Sequence, residues 1–258
     1  MLTDTHTHLA DPLLAQHLPT VLQQAQQAGV TRFIVPATQP HDWQTVLQLN
    51  APHIVPALGI HPWFIESDDH TQLHALDSLL AQHSHALVGE IGLDYLRATH
   101  PSERQRQQEV FSTQLHLAQQ HQRPIMMHNL RASADIVRLI RHTGFQQGGF
   151  AHAFSGSLEE AHGFIRHGFK IGIGVLLLNP HAKKVRRAAT ELPLEHLVLE
   201  TDSPFMLPDG SNQPAKIRLI AEHICQLRGI SLAQLAKQTE ANIHVMLKCR
   251  PTYCPDLE

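Results

Sequence analysis

Asp4, His6 and His8 stand at every second position of the opening run MLTDTHTHLADP. In an extended strand alternate side chains share a face, so imidazoles at i and i+2 project together, about 7 Å apart along the backbone. Such a pair suits a metal ion. The chain carries 22 histidines in 258 residues, so two neighbouring ones mean little unless further ligands exist elsewhere.

Those ligands recur at the ends of apolar runs. His61 closes IVPALGIHP, Glu90 lies within LVGEIGLDY and His128 ends PIMMHN; His152 falls in GGFAHAFSGS, and Glu200 and Asp202 in HLVLETDSP. Any one of these histidines, taken alone, reads more readily as a core or surface histidine. Glu90 is harder to set aside, because a carboxylate inside an apolar strand needs a cation or donors to offset its desolvation. Asp202 makes the same demand. His6, His8, His128, His152, Glu90 and Asp202 suffice for two divalent ions if one carboxylate bridges them. Glu200 shares a face with Asp202 if that strand is regular, as a carboxylate that orients a ligand or as half of a structural salt bridge. His61, before Pro62, reads as a contact to substrate or leaving group, or as a hydrogen-bonded loop histidine.

Eight β-rich runs alternate with segments of helical spacing. The runs begin at Leu2, Phe33, Ile54, Leu87, Pro124, Gly148, Phe169 and His196; the helical segments include 13–28, 73–83, 103–121, 134–142, 158–166, 182–190 and 215–228. This rhythm predicts a (β/α)8 TIM-type barrel, in which strand ends converge on one mouth. An open doubly wound sheet would be expected to carry a glycine-rich phosphate loop near its first turn, and none is present. Residues 231–247 add an extra C-terminal helix, 251–258 read as a frayed tail, and 1–258 read as a single domain.

Composition narrows the setting. At 42% hydrophobic content the chain can bury a substantial core, and no apolar run approaches the roughly 18 residues of a membrane span. Cys225, Cys249 and Cys254 form no even framework and no CxxC pair, which fits reduced thiols and a cytoplasmic location. The net charge of −3 means that any nucleic-acid contact must come from a local patch. Nothing in the sequence sets the oligomeric state; a monomer is compatible with it.

The stretches DTHTHL, GIHPW, GEIGLDY, MMHN, AHAFSGS and LETDSP, in this order over most of the chain, resemble the TatD-like metal-dependent hydrolases of the amidohydrolase superfamily. The resemblance implies a (β/α)8 barrel with two divalent ions (zinc, manganese or magnesium) at its mouth. It makes His6 and His8 ligands of one ion and His128 and His152 ligands of the other. Glu90 becomes the bridge, and Asp202 completes the first site and accepts a proton from the attacking water. Other branches of the superfamily bridge their metals with a carboxylated lysine on the fourth strand, where this chain has Glu90. Where the family usually reads HSRDA this chain reads HNLRAS, and SNQPA, with Gln213, stands where RNEPA is usual. Arg131 could supply the displaced positive charge or be a solvated arginine at a helix start.

The resemblance also implies a deoxyribonuclease or phosphodiesterase. AKKVRRAA, with Lys183, Lys184, Arg186 and Arg187, could reach backbone phosphates of single-stranded DNA, or could be an ordinary solvated helix face. Aromatic residues are scarce, at 5%, but Trp63, Phe64, Phe154 and Phe205 are placed to meet a base, or to pack in the core. The alternatives are hydrolysis of a small ester, amide or phosphoester, and a non-catalytic metal-binding module, which would have no need of a proton acceptor such as Asp202.

Overall fold

The computed structural model describes residues 1–49, 51, 53–66, 69–207, 210 and 212–247; Cys249, Cys254 and the segment 251–258 lie outside the described residues. Among the described residues there are eight strands: β1 (Leu2–Asp4), β2 (Val30–Pro36), β3 (Ile54–Leu58), β4 (Leu87–Asp94), β5 (Ile125–Leu130), β6 (Gly149–Ala151), β7 (Phe169–Ile173) and β8 (Leu197–Leu199). Each pairs parallel with the next in chain order. The helices are α1 (Pro12–Ala15), α2 (Leu18–Gln27), α3 (Trp43–Gln48), α4 (Asp69–Gln82), α5 (Pro101–Gln120), α6 (Ser133–Thr143), α7 (Leu158–Ile165), α8 (Lys183–Glu191), α9 (Ile217–Arg228) and α10 (Leu232–Leu247). This is the (β/α)8 barrel the alternation predicts, with α10 as the extra helix.

The strands read as nearly unbroken apolar runs because both of their faces are covered. Side chains pointing outward, such as Phe33, Val35, Val88, Ile125, Met127 and Ile171, pack into the large outer core. The alternate positions Ile34, Val55, Leu87, Met126, Phe150 and Val198 form a second cluster inside the barrel with Ile243, Met246 and Leu247 of α10. The period of two places the next inward residue on three strands at the opposite end: His128 after Met126, His152 after Phe150 and Glu200 after Val198. An apolar floor closed by α10 therefore lies under a polar layer.

Where β1 meets β8 the barrel is closed largely beyond the strand ends. Leu199 O accepts the Thr5 N–H (2.9 Å), His6 O accepts the Asp202 N–H (2.8 Å) and Ser203 O accepts the His8 N–H (2.8 Å), with an isolated bridge between Thr7 and Ser203. The Asp4 carboxylate, fully buried, reinforces the seam: Oδ1 accepts the Thr201 N–H (2.9 Å) and Oδ2 the Thr201 hydroxyl (2.6 Å). The backbone of the candidate ligands is thus part of the barrel wall.

Two local differences from the sequence reading follow from chain chemistry. The segment 13–28 forms two helices with a break at Gln16–His17, since Pro19 starts the second one where its missing N–H costs nothing. α3 spans only six residues, too short for a periodic signal. Asn242 joins α10 to the β8 side of the barrel: its buried Nδ2 donates to Leu194 O and Leu197 O, both at 2.7 Å. Asn242→Ala strands those carbonyls and is expected to lower unfolding free energy by about 1–3 kcal/mol in urea titrations; unchanged stability would show that water replaces the amide freely.

Candidate metal centre

The polar layer converges on Glu90. A register shift between Val88 and Ile91 interrupts the β4–β5 ladder beside it, the kind of irregularity that re-aims a strand side chain. Glu90 is 3% exposed, and its two oxygens face different partners. Oε2 lies 3.3 Å from His6 Nε2. Oε1 lies 2.8 Å from His152 Nε2, 3.0 Å from His128 Nδ1 and 3.3 Å from His61 Nε2. Asp202 Oδ1 closes the Oε2 side, 3.2 Å from His8 Nε2 and 3.5 Å from His6 Nε2.

All six residues predicted as metal ligands therefore meet in one buried cluster, but not by the predicted route. β1 ends at Asp4, so His6 and His8 lie on a bent segment beyond the strand rather than on one strand face; their Nε2 atoms nevertheless approach to 3.2 Å. Asp4 is not part of the cluster and holds the seam instead. Asp202 is also past its strand, in a left-handed turn at φ 57°, so it shares no strand face with Glu200.

The donor set fits divalent cations. Two ligand atoms on one tetrahedral zinc stand about 3.3 Å apart, close to the separations seen on both sides of Glu90. His6 Nε2 and His8 Nε2 point at each other, and the buried His152 Nε2, 2.8 Å from Glu90 Oε1, makes no hydrogen bond of suitable geometry. His6, His8 and Glu90; His6, His152 and Asp202; and His61, Glu90 and His128 each form a group able to hold an ion. Burial and the charge on His152 push His6 down to about 4, whereas Glu90 outweighs the desolvation of His152 and lifts it to about 10. Glu90 and Asp202 resist the desolvation that would protonate them: surrounding imidazoles hold both below the usual carboxylate range.

The chain matches the model of the TatD-related DNases over residues 3–248. It belongs to that family. Its relatives include the Escherichia coli metal-dependent hydrolase YjjV, 34% identical over 251 residues that cover 94% of this chain and 96% of that one. The crystal structure of YjjV superposes with a TM-score of 0.88 at 32% identity, covering 95% of this chain and 97% of YjjV. Human deoxyribonuclease TATDN3 is 27% identical over 256 residues, covering 93% of this chain and 92% of TATDN3.

The remaining sequence-predicted residues of this TatD-family chain are distributed as follows. His61 is buried in the cluster. Its Nδ1 accepts the Trp63 N–H (3.1 Å), so the neutral ring carries its proton on Nε2, the atom facing Glu90. Glu200 is buried beneath the cluster: Oε1 accepts the Ala153 N–H, Oε2 has no partner, and burial raises its carboxyl to about 7. Gly172 makes room for it, since a Cβ there would come within 2.2 Å of Oε2. Among the described residues Glu200 therefore forms no salt bridge, and it sits on backbone N–H instead.

The basic run is split between exposed and engaged side chains. Lys183 and Lys184 are exposed at the start of α8, but Arg186 donates to Leu177 O and His223, and Arg187 pairs with Glu191 at 2.8 Å. Arg131 is exposed in a left-handed turn just past β5. Gln213 stands at the start of the short turn before α9 without a side-chain capping bond; its neighbour Asn212 is the buried member, donating to Thr201 O and Phe205 O. Phe154 packs in the core, whereas Trp63 and Phe205 stay exposed.

Sequence reasoning missed Asp94, the last residue of β4 and a member of the quoted GLDY. Its Oδ2 lies 3.3 Å from His128 Nε2 and accepts the Trp63 indole N–H, and its Oδ1 accepts the Leu96 and Arg97 N–H groups. The signal was present as a second carboxylate in the same apolar strand. By accepting a hydrogen bond from His128 Nε2–H, Asp94 leaves Nδ1 free toward Glu90, the carboxylate–histidine arrangement that fixes a ligand's tautomer. Asp94→Ala is expected to weaken zinc or manganese binding about 10–100-fold in calorimetric titrations. Unaltered affinity would mean that His128 needs no such partner.

Proposed function

We propose that this chain is a divalent-metal-dependent phosphodiesterase that cleaves single-stranded DNA at its ends. The observation carrying the reading is the division of Glu90, one oxygen toward His6 and the other toward His128 and His152. In this reading His6, His8 and Asp202 would hold one ion and His128 and His152 the other, with Glu90 shared between the two groups. Zinc, manganese and magnesium are the candidate ions; the nitrogen-rich ligand set suits the first two best. Bound ions of this kind lower the pKa of water and stabilise charge on phosphoryl oxygens.

The side chains divide the remaining work. Asp202 is ionised and in the cluster, so it can take the proton of the attacking water. His61 is committed as an Nε2–H donor, which suits a contact to a phosphoryl or leaving-group oxygen rather than a metal bond. Glu200 holds Ala153, beside His152, and so positions that ligand. Arg131, Lys183 and Lys184 are exposed cations that in this reading contact backbone phosphates. The barrel and α10 act as one catalytic domain, and among the described residues no helix is long and apolar enough to cross a membrane. A monomer working in the cytoplasm agrees with this reading.

DNA is preferred over a small ester, amide or phosphoester because the related TATDN3 is named a deoxyribonuclease. The test is metal-stripped protein resupplied with magnesium, manganese or zinc and given single-stranded DNA labelled at either end. Cleavage is expected to require metal and to fall about 10²–10⁴-fold in Asp202→Asn. Turnover of small diesters with no cleavage of DNA under any metal would discard DNA as the substrate.

A further inference from the structure

Two water-exposed aromatic rings stand on opposite flanks of the histidine cluster. Trp63 is 44% exposed and packs edge-on against His61 and His128, with centroids 4.9 and 6.0 Å away, on the Glu90 Oε1 side. Phe205 is 46% exposed and meets His8 edge-on at 5.3 Å, on the Asp202 side. Each has an exposed partner: the Arg97 guanidinium lies 3.7 Å over the Trp63 ring, and Met206 follows Phe205 with 46% exposure. Exposed rings beside a polar site offer flat apolar faces on which a base can stack.

The Trp63 ring is also held in advance. Its indole N–H donates to Asp94 and its backbone N–H to His61 Nδ1, so little freedom remains to be lost when a ligand stacks on it. Phosphate attraction, to the exposed cations and to the ions the site would hold, fixes the backbone but cannot by itself position the flanking bases. Stacking can, because every base presents a flat face and each stacked base contributes substantially.

We propose that Trp63 with Arg97, and Phe205 with Met206, form two platforms that stack on the unpaired nucleobases on either side of the scissile phosphate. The proposal rests on the phosphodiesterase reading above and names how that site selects its substrate. Bases already stacked and paired in a duplex cannot reach both platforms, so unpaired ends are selected. Base identity matters little, because every base presents a flat π-face.

The experiment compares a thymidine trinucleotide with the same phosphodiester backbone carrying abasic tetrahydrofuran units at the flanking positions. The readout is the ratio of kcat/KM for the two substrates within each variant, so effects on the metal centre divide out. The native protein is expected to favour the base-containing substrate, and Trp63→Ala and Phe205→Ala each to lower that ratio about 5- to 150-fold. Trp63→Phe keeps a ring but loses the N–H to Asp94, and is expected to retain most of the ratio. Equal cleavage of both substrates by the native protein, or an unchanged ratio in both alanine variants, would overturn the platforms. Loss in only one alanine variant would overturn the two-sided arrangement. Cleavage of neither substrate under any metal would overturn the phosphodiesterase reading itself.

Discussion

A carboxylate buried to 3% exposure in the throat of an apolar barrel has to be compensated by its surroundings. At Glu90 the compensation comes from four imidazoles divided between its two oxygens, and much of the nearby structure serves that division. The register shift in β4 aims the side chain inward. His128 and His152 are each one inward step above a residue of the barrel floor, so the packing that fixes Met126 and Phe150 also fixes them. Asp94 and Glu200 then bind neighbouring groups rather than the cluster, setting the ring of His128 and the backbone beside His152.

The other ligands depend on a different device. β1 and β8 are three residues each, and the barrel wall continues beyond them through the segments bearing His6, His8 and Asp202. Closing the sheet and assembling the cluster are the same set of hydrogen bonds there. The buried Asp4–Thr201–Ser203–Thr7 network ties these segments together, and burial pushes the Asp4 carboxyl well above its ordinary range despite the donors around it. Distortion at this seam would move three candidate ligands together, whereas distortion at β5 or β6 would move one.

Much of this was legible in the sequence, for a physical reason. Strands buried on both faces read as apolar runs, and a polar residue ending such a run must lie where the barrel opens. PIMMHN and GGFAHA announce His128 and His152 that way, and VGEIGLDY announces Glu90. The route of His6 and His8 was not legible, because alternation along a strand and convergence from a bend give the same spacing. Asp94 was hidden by its position at a strand end, where a carboxylate commonly caps a turn, which it also does for Leu96 and Arg97. Nor could the basic run reveal that Arg186 turns back to Leu177 and His223: which face of a helix is free depends on the neighbours the fold supplies.

The central claim is that Glu90 is shared by two ions. Crystals grown with manganese and measured at a wavelength where it scatters anomalously would test this directly. The account predicts two peaks, one beside each Glu90 oxygen, with His6, His8 and Asp202 around the first and His128 and His152 around the second. A single peak, or peaks that do not touch Glu90, would contradict it.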